Sequence, residues 1–143
     1  MSERGIPAKP LPSLSGVNGE FHRRLAATGE LAFQRCDGCA TLRHPPRIAC
    51  ARCGSTDSSF VASSGRGRIH TWTVTHQAMH PAFAADTPYA VVVTELEEGV
   101  RIVTGIREMS PDDLCLDLPV EVVLERASAE VILPYVRPRR GGL

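Results

Sequence analysis

Four cysteines in this chain stand at a spacing that binds metal. They form two Cys-x2-Cys hooks, Cys36-Asp-Gly-Cys39 and Cys50-Ala-Arg-Cys53, with ten residues between them. Each hook turns two thiols to one side of the chain, and two facing hooks supply the tetrahedral sulfur set that Zn²⁺ prefers. Four thiolates leave no open position for water, so the chemistry expected is structural rather than catalytic. A redox iron on the same four sulfurs is the alternative metal. The fifth cysteine, Cys115, lies among Leu114, Leu116 and Leu118 with Asp112, Asp113 and Asp117 close by. That setting predicts a buried, inert thiol, because a nucleophile needs nearby positive charge.

Other reactive residue types are scattered. His44, between the hooks and beside Pro45 and Pro46, reads as a surface residue. His70 and His76 share one face of an expected strand but lie about 20 Å apart, too far for joint ligation. The stretch Ala78–Thr87 carries Met79, His80, Phe83 and four alanines with few charges. Such a loop suits a protein surface or an acyl chain, or else folds back over the end of its own domain. Arg66 and Arg68, in Gly-Arg-Gly-Arg, are candidates to meet a phosphate or a partner's carboxylate, or are simply an exposed turn. No nucleophile is paired with a base, and no glycine-rich phosphate loop occurs.

The elements that position these residues are legible in outline. Residues 1–15 form a proline-rich arm in which Ile6, Leu11 and Leu14 are the apolar members. Residues 16–30 hold a helix, with Ser15 or Asn18 as cap, an apolar face of Val17, Phe21 and Leu25, and a stop at Gly29. Residues 31–64 form the ribbon, with strands over Glu30–Gln34 and at Phe60-Val61. Residues 65–136 alternate as strands. Arg68–Gln77 turns His70, Trp72, Val74 and His76 to one side. Tyr89–Leu96 reads as buried on both faces. On Val100–Arg107, Val100, Ile102, Thr104 and Ile106 point together. Ser110-Pro-Asp-Asp starts a short helix. Pro119–Arg126 points Val120, Val122 and Leu124 inward, and Val131–Leu133 is a fifth strand. The tail 137–143 is loose, as is the chain from Pro134. Five strands with a helix between the third and fourth is the order of an OB-fold barrel, so the fold class is mainly β.

Charge narrows the function. The chain is neutral overall, with sixteen Lys/Arg and sixteen Asp/Glu, but residues 66–136 hold five arginines against eleven acids. A nucleic-acid binder needs a positive face to displace counterions. Single-stranded nucleic-acid binding, which OB barrels also perform, is the alternative function, and it is further disfavoured by Trp72 and Tyr89 being the only aromatics expected on the barrel strands. No apolar run reaches the roughly 20 residues of a membrane span. A polar, proline-rich start and unpaired thiols point to the cytoplasm.

Five stretches carry a resemblance: Gly-Glu-Leu-Ala-Phe-Gln-Arg-Cys-Asp-Gly-Cys (29–39), Pro-Pro-Arg-Ile-Ala-Cys-Ala-Arg-Cys-Gly (45–54), Gly-Arg-Gly-Arg-Ile-His-Thr-Trp-Thr-Val (65–74), Pro-Tyr-Ala-Val-Val-Val-Thr-Glu-Leu (88–96) and Glu-Gly-Val-Arg-Ile (98–102). Over residues 20–136 the chain resembles the acyl-CoA-associated OB-fold proteins with a rubredoxin-like zinc ribbon, once labelled domain of unknown function 35. The resemblance implies zinc on Cys36, Cys39, Cys50 and Cys53. It implies a non-catalytic subunit that scaffolds a thiolase, a thiolase-like aldolase of steroid side-chain breakdown or a hot-dog-fold hydratase, in lipid, sterol or aromatic-acid degradation. It also implies that acyl-CoA is a shared ligand; from the residues themselves, Arg66, Arg68, Met79, His80 and Phe83 are the candidate contacts to a partner or to acyl-CoA. Two positions depart from the family pattern: Ala40 follows the first hook where glycine is usual, and Asp117 precedes the fourth strand where glycine is common.

Overall fold

A computed structural model describes residues 8–140. Ile6 of the arm and the last three residues of the tail lie outside the described residues. The first element, α1 (Glu20–Thr28), is nine residues long. It buries Phe21 and Leu25, one turn apart on one face. Gly29 ends it in the left-handed region (φ 69°), and its N–H donates to the Leu25 carbonyl. At the start, Gly19 occupies the cap position with no side-chain bond, so neither Ser15 nor Asn18 caps the helix. Residues 8–15 have no regular structure but are held at two points. Arg23 donates to the carbonyls of Leu14 and Gly16, and Lys9 pairs with Asp86 at 2.6 Å.

The ribbon is a three-stranded antiparallel sheet in the order β2 (Leu42–Arg43), β1 (Ala32–Cys36), β3 (Ser58–Ala62). The barrel is closed, in the order β4 (Arg66–Thr75), β5 (Tyr89–Leu96), β6 (Arg101–Ile106), β8 (Ile132–Pro138), β7 (Pro119–Arg126). Every pairing is antiparallel except β6 with β8. Closure leaves the barrel no free edge to pair with another chain. A one-turn 3-10 helix at Pro111–Asp113 lies between β6 and β7; Ser110 is its cap as expected, and Asp113 completes a reciprocal cap.

Several strand readings change. A bulge leaves His70 without a partner between the pairs Ile69–Thr94 and Thr71–Val93. The extra residue resets the alternation, so Ile69 and then Trp72 turn to the core while His70 is exposed. On β5 only Ala90, Val92, Thr94 and Leu96 are buried, and the intervening residues are half-buried. On β7 Leu124 is exposed. The last strand runs to Pro138, well past the expected Leu133, because β7 and β6 both offer it partners. Cys115 and Leu116 are exposed rather than buried, and only Leu114 and Leu118 of that run join the core.

Two hydrophobic clusters hold the molecule. One lies inside the barrel and contains Ile69, Ala90, Val92, Leu114, Val120 and Val136. The other joins Phe21 and Leu25 of the helix, Leu31 and Phe33 of the ribbon, and Leu96, Val100, Ile102 and Ile132 of the barrel. Helix, ribbon and barrel therefore share one core.

Candidate metal centre and surrounding surface

The two hooks are built alike. In the first, Ala40 N–H donates to the Cys36 carbonyl (2.8 Å) and Cys36 N–H to the Thr41 carbonyl (2.9 Å). In the second, Gly54 N–H donates to the Cys50 carbonyl (2.8 Å) and Cys50 N–H to the Ser55 carbonyl (2.9 Å). Each hook closes on a left-handed residue, Ala40 (φ 64°) in one and Gly54 (φ 78°) in the other. Glycine is indifferent to that conformation, whereas alanine pays about 1–2 kcal/mol for it. Asp117, the second departure from the family pattern, is left-handed too (φ 63°).

The hooks face each other. Cys36 Sγ lies 3.4 Å from Cys53 Sγ, and Cys39 Sγ 3.6 Å from Cys50 Sγ. All four sulfurs fall within 4.8 Å of one another. A tetrahedron with Zn–S bonds of about 2.3 Å has edges of about 3.8 Å, so the set fits zinc. Cys36 and Cys50 are buried, and Cys39 and Cys53 lie at the surface. The Thr41 hydroxyl and then the Thr41 N–H lower the Cys39 thiol to about 6, while Cys53, despite the Ser55 N–H, is raised to about 11 by the adjoining Cys36 thiol, so only a bound cation would draw all four sulfurs into the thiolate form. The Arg52 N–H points at Cys50 Sγ (3.4 Å).

His44 takes no part in this site. It packs edge-on against Phe21 (4.5 Å between ring centres) and Phe33 (5.2 Å), and its Nδ1 is buried with no hydrogen-bond partner. The expectation of a surface histidine fails because the helix, 20 residues upstream in the chain, folds over it. Burial, and then the neighbouring His22, lower the imidazole to about 4. The folded protein thus keeps His44 neutral, while the unfolded chain protonates it near pH 6.5. Its contribution is complete above about pH 6.5, falls as pH drops from there, and is gone below about 4, a total near 3 kcal/mol. Between pH 7 and pH 5 the wild type should lose about 2 kcal/mol from this group, and His44→Phe should lose that much less. Urea midpoints at the two pH values measure it; parallel losses in the two proteins would sink the assignment.

The other candidate contacts fall in two places. Met79 (95% exposed), His80 and Phe83 share the connection between β4 and β5, whose Pro81–Asp86 segment is a 3-10 helix. His80 Nδ1 accepts the Ala82 N–H and so caps that helix. Phe83 lines a groove of about 560 Å³ with Tyr89, Arg107, Met109 and Tyr135. Arg66 pairs with Glu97 (3.5 Å), and Arg68 lines a separate groove of about 370 Å³ with Glu95, Glu97 and Arg139. The arginines and the apolar loop therefore do not form one site. Two residues that matter escaped the sequence. Tyr135 is a third strand aromatic on the barrel, hidden in a run that read as loose tail. Gln34, on β1, is 3% exposed and braces the inter-hook loop from 13 residues away. No local signal marks it.

Two family descriptions match consecutive stretches of the chain. The "ChsH2, rubredoxin-like zinc ribbon domain" covers residues 23–59. The "ChsH2, C-terminal OB-fold domain" covers residues 60–125. A "DUF35 domain-containing scaffold protein" of Methanothermobacter thermautotrophicus is 31% identical over 76% of this chain and 81% of its own length. The chain belongs to the DUF35 family. This DUF35 chain is also similar to a solved structure described as the "Ltp2-ChsH2(DUF35) aldolase", with TM-score 0.78 and 37% identity over 89% of this chain and 98% of that one. A "Probable enoyl-CoA hydratase alpha subunit" of Thermomonospora curvata is 38% identical over 91% of this chain. This chain spans only 40% of that relative's length. Among the described residues of the DUF35 chain, no helix is long and apolar enough to cross a membrane.

Proposed function

We propose that this DUF35 chain is a non-catalytic accessory subunit of an acyl-CoA-processing assembly, with a thiolase-fold enzyme as its partner. The supporting observation is its likeness along nearly the whole length of the DUF35 chain in the Ltp2-ChsH2(DUF35) aldolase. The chemistry of the chain agrees with a scaffold role. Its one metal-ligating cluster among the described residues is a saturated set of four thiols, and the most exposed large hydrophobic side chain, Met79, is apolar. On this reading Met79, His80 and Phe83 face the partner, Arg66 and Arg68 form a second contact region, and acyl-CoA is a ligand shared with the partner. Steroid side-chain breakdown is the pathway class, and the cytoplasm, where thiols stay reduced, is the compartment.

The test is direct. Co-expressed with Ltp2, the chain is expected to co-elute with it in size-exclusion chromatography and to remain bound through a second column. Acyl-CoA-cleaving activity should appear only in the joint fraction. A chain that elutes alone, at its own mass, beside soluble Ltp2 would count against the reading.

A further inference from the structure

The loop between the hooks is braced from within. The Gln34 side-chain amide makes four hydrogen bonds, which is its full capacity. Its Oε1 accepts from the Arg47 N–H (2.7 Å) and from Arg43 Nε (2.8 Å). Its Nε2 donates to the Arg47 carbonyl and the Ser58 hydroxyl, each at 3.0 Å. Arg43 also reaches the Arg47 carbonyl (3.3 Å), and Pro46 is fully buried. The backbone at Arg47 is thus clamped on both its N–H and its C=O, and three residues later the chain is clamped again at Cys50.

What this brace presents is Ile48, which is 72% exposed. At that exposure the side chain adds little to the core of this fold. Its flanks are charged in one sense. Arg47 and Arg52 are exposed and have no ion-pair partner among the described residues. On the barrel side most arginines, namely Arg66, Arg101, Arg107, Arg137, Arg139 and Arg140, face a carboxylate, whereas Arg68 and Arg126 do not. No Asp or Glu occurs from Gly38 to Thr56.

We infer that Ile48 is an anchor that the ribbon inserts into an apolar pocket of a protein partner, with carboxylates on the pocket rim opposite Arg47 and Arg52. The inference rests on the accessory-subunit reading and locates one of its contacts. A braced apolar side chain with exposed arginines at positions 47 and 52 suits an interface anchor, and prior bracing lowers the ordering cost on binding. The unpaired guanidiniums fix the sign of the rim. Nucleic acid does not fit, because the one ring of the loop, His44, is packed inward against Phe21 and Phe33, and the adjoining barrel is acidic.

The test uses the full zinc-loaded chain, with Ltp2 as the probe. Ile48→Asp should weaken the complex about 100-fold, by losing the buried side chain and placing a charge against the carboxylate rim. Ile48→Val should cost no more than about fivefold, one methylene group. Zinc content and melting temperature should not change in either variant, since Ile48 supports nothing internally. Wild-type affinity in Ile48→Asp overturns the anchor alone. Failure of the wild type to bind Ltp2 overturns the accessory-subunit reading and the anchor with it. Binding to a single-stranded oligonucleotide or to anionic phospholipid vesicles that Ile48→Asp abolishes would assign the surface to another class of ligand and overturn the protein pocket.

Discussion

Stripping zinc with a chelator, or replacing Cys36 with serine, is expected to unfold residues 31–62 and leave most of the barrel standing. The sulfurs sit at distances a tetrahedral zinc spans, and binding to such a site contributes about 10–16 kcal/mol at neutral pH, as much as the whole stability of a small domain. The three ribbon strands have little else to hold them: β2 is two residues long, and the buried ribbon side chains are few. The interior barrel cluster draws on no ribbon residue. The single tryptophan, Trp72, packs on that cluster and reports it. Amide exchange across the ribbon should therefore rise to unfolded rates while Trp72 emission stays near its native maximum. Retention of ribbon protection in metal-free protein would show that packing, not metal, holds the ribbon.

Phe33→Ala is expected to destabilise the protein by about 3–5 kcal/mol, the usual cost of emptying a buried phenylalanine site. Phe33 is 1% exposed and stacks on Phe21 at 5.9 Å, with His44 against its edge. It belongs to the cluster that joins helix, ribbon and barrel, so the cavity opens where three elements meet and none can collapse alone to fill it. Phe33→Leu, which keeps most of the volume, should cost much less. Urea denaturation of zinc-loaded protein provides the measure. A loss below about 1 kcal/mol for the alanine variant would mean that the joint is plastic and the three elements are only loosely coupled.

The features legible from the residues were those set by neighbours in the chain. The cysteine spacing names the metal because a hook is a local turn. Gly29 ends the helix, and Ser110 with Asp113 caps the turn before β7, because both depend on backbone groups within four residues. The order of strands and the bounds of β7 follow from alternation and turn residues in the same way. Resemblance of whole motifs then places the barrel and ribbon in one family.

What the residues did not disclose depends on groups far away in sequence. The bulge at His70 exists because β5 pairs on both sides of it, and nothing within β4 marks the extra residue. The run after Leu133 became a strand because β6 and β7 both had free hydrogen-bonding groups beside it. Cys115 is exposed although its neighbours are leucines, since only Leu114 and Leu118 of that run turn toward the barrel. His44 is neutral because a helix 20 residues away covers it, and Gln34 is buried because a loop 13 residues away uses its amide. Sequence alone therefore determined the metal, the helix and the main strands with their order, but not β2, the 3-10 helix at Pro81–Asp86 or the length of β8. Tertiary structure decided which polar groups are buried and which apolar ones face outward, because burial depends on what packs against a residue rather than on what precedes it.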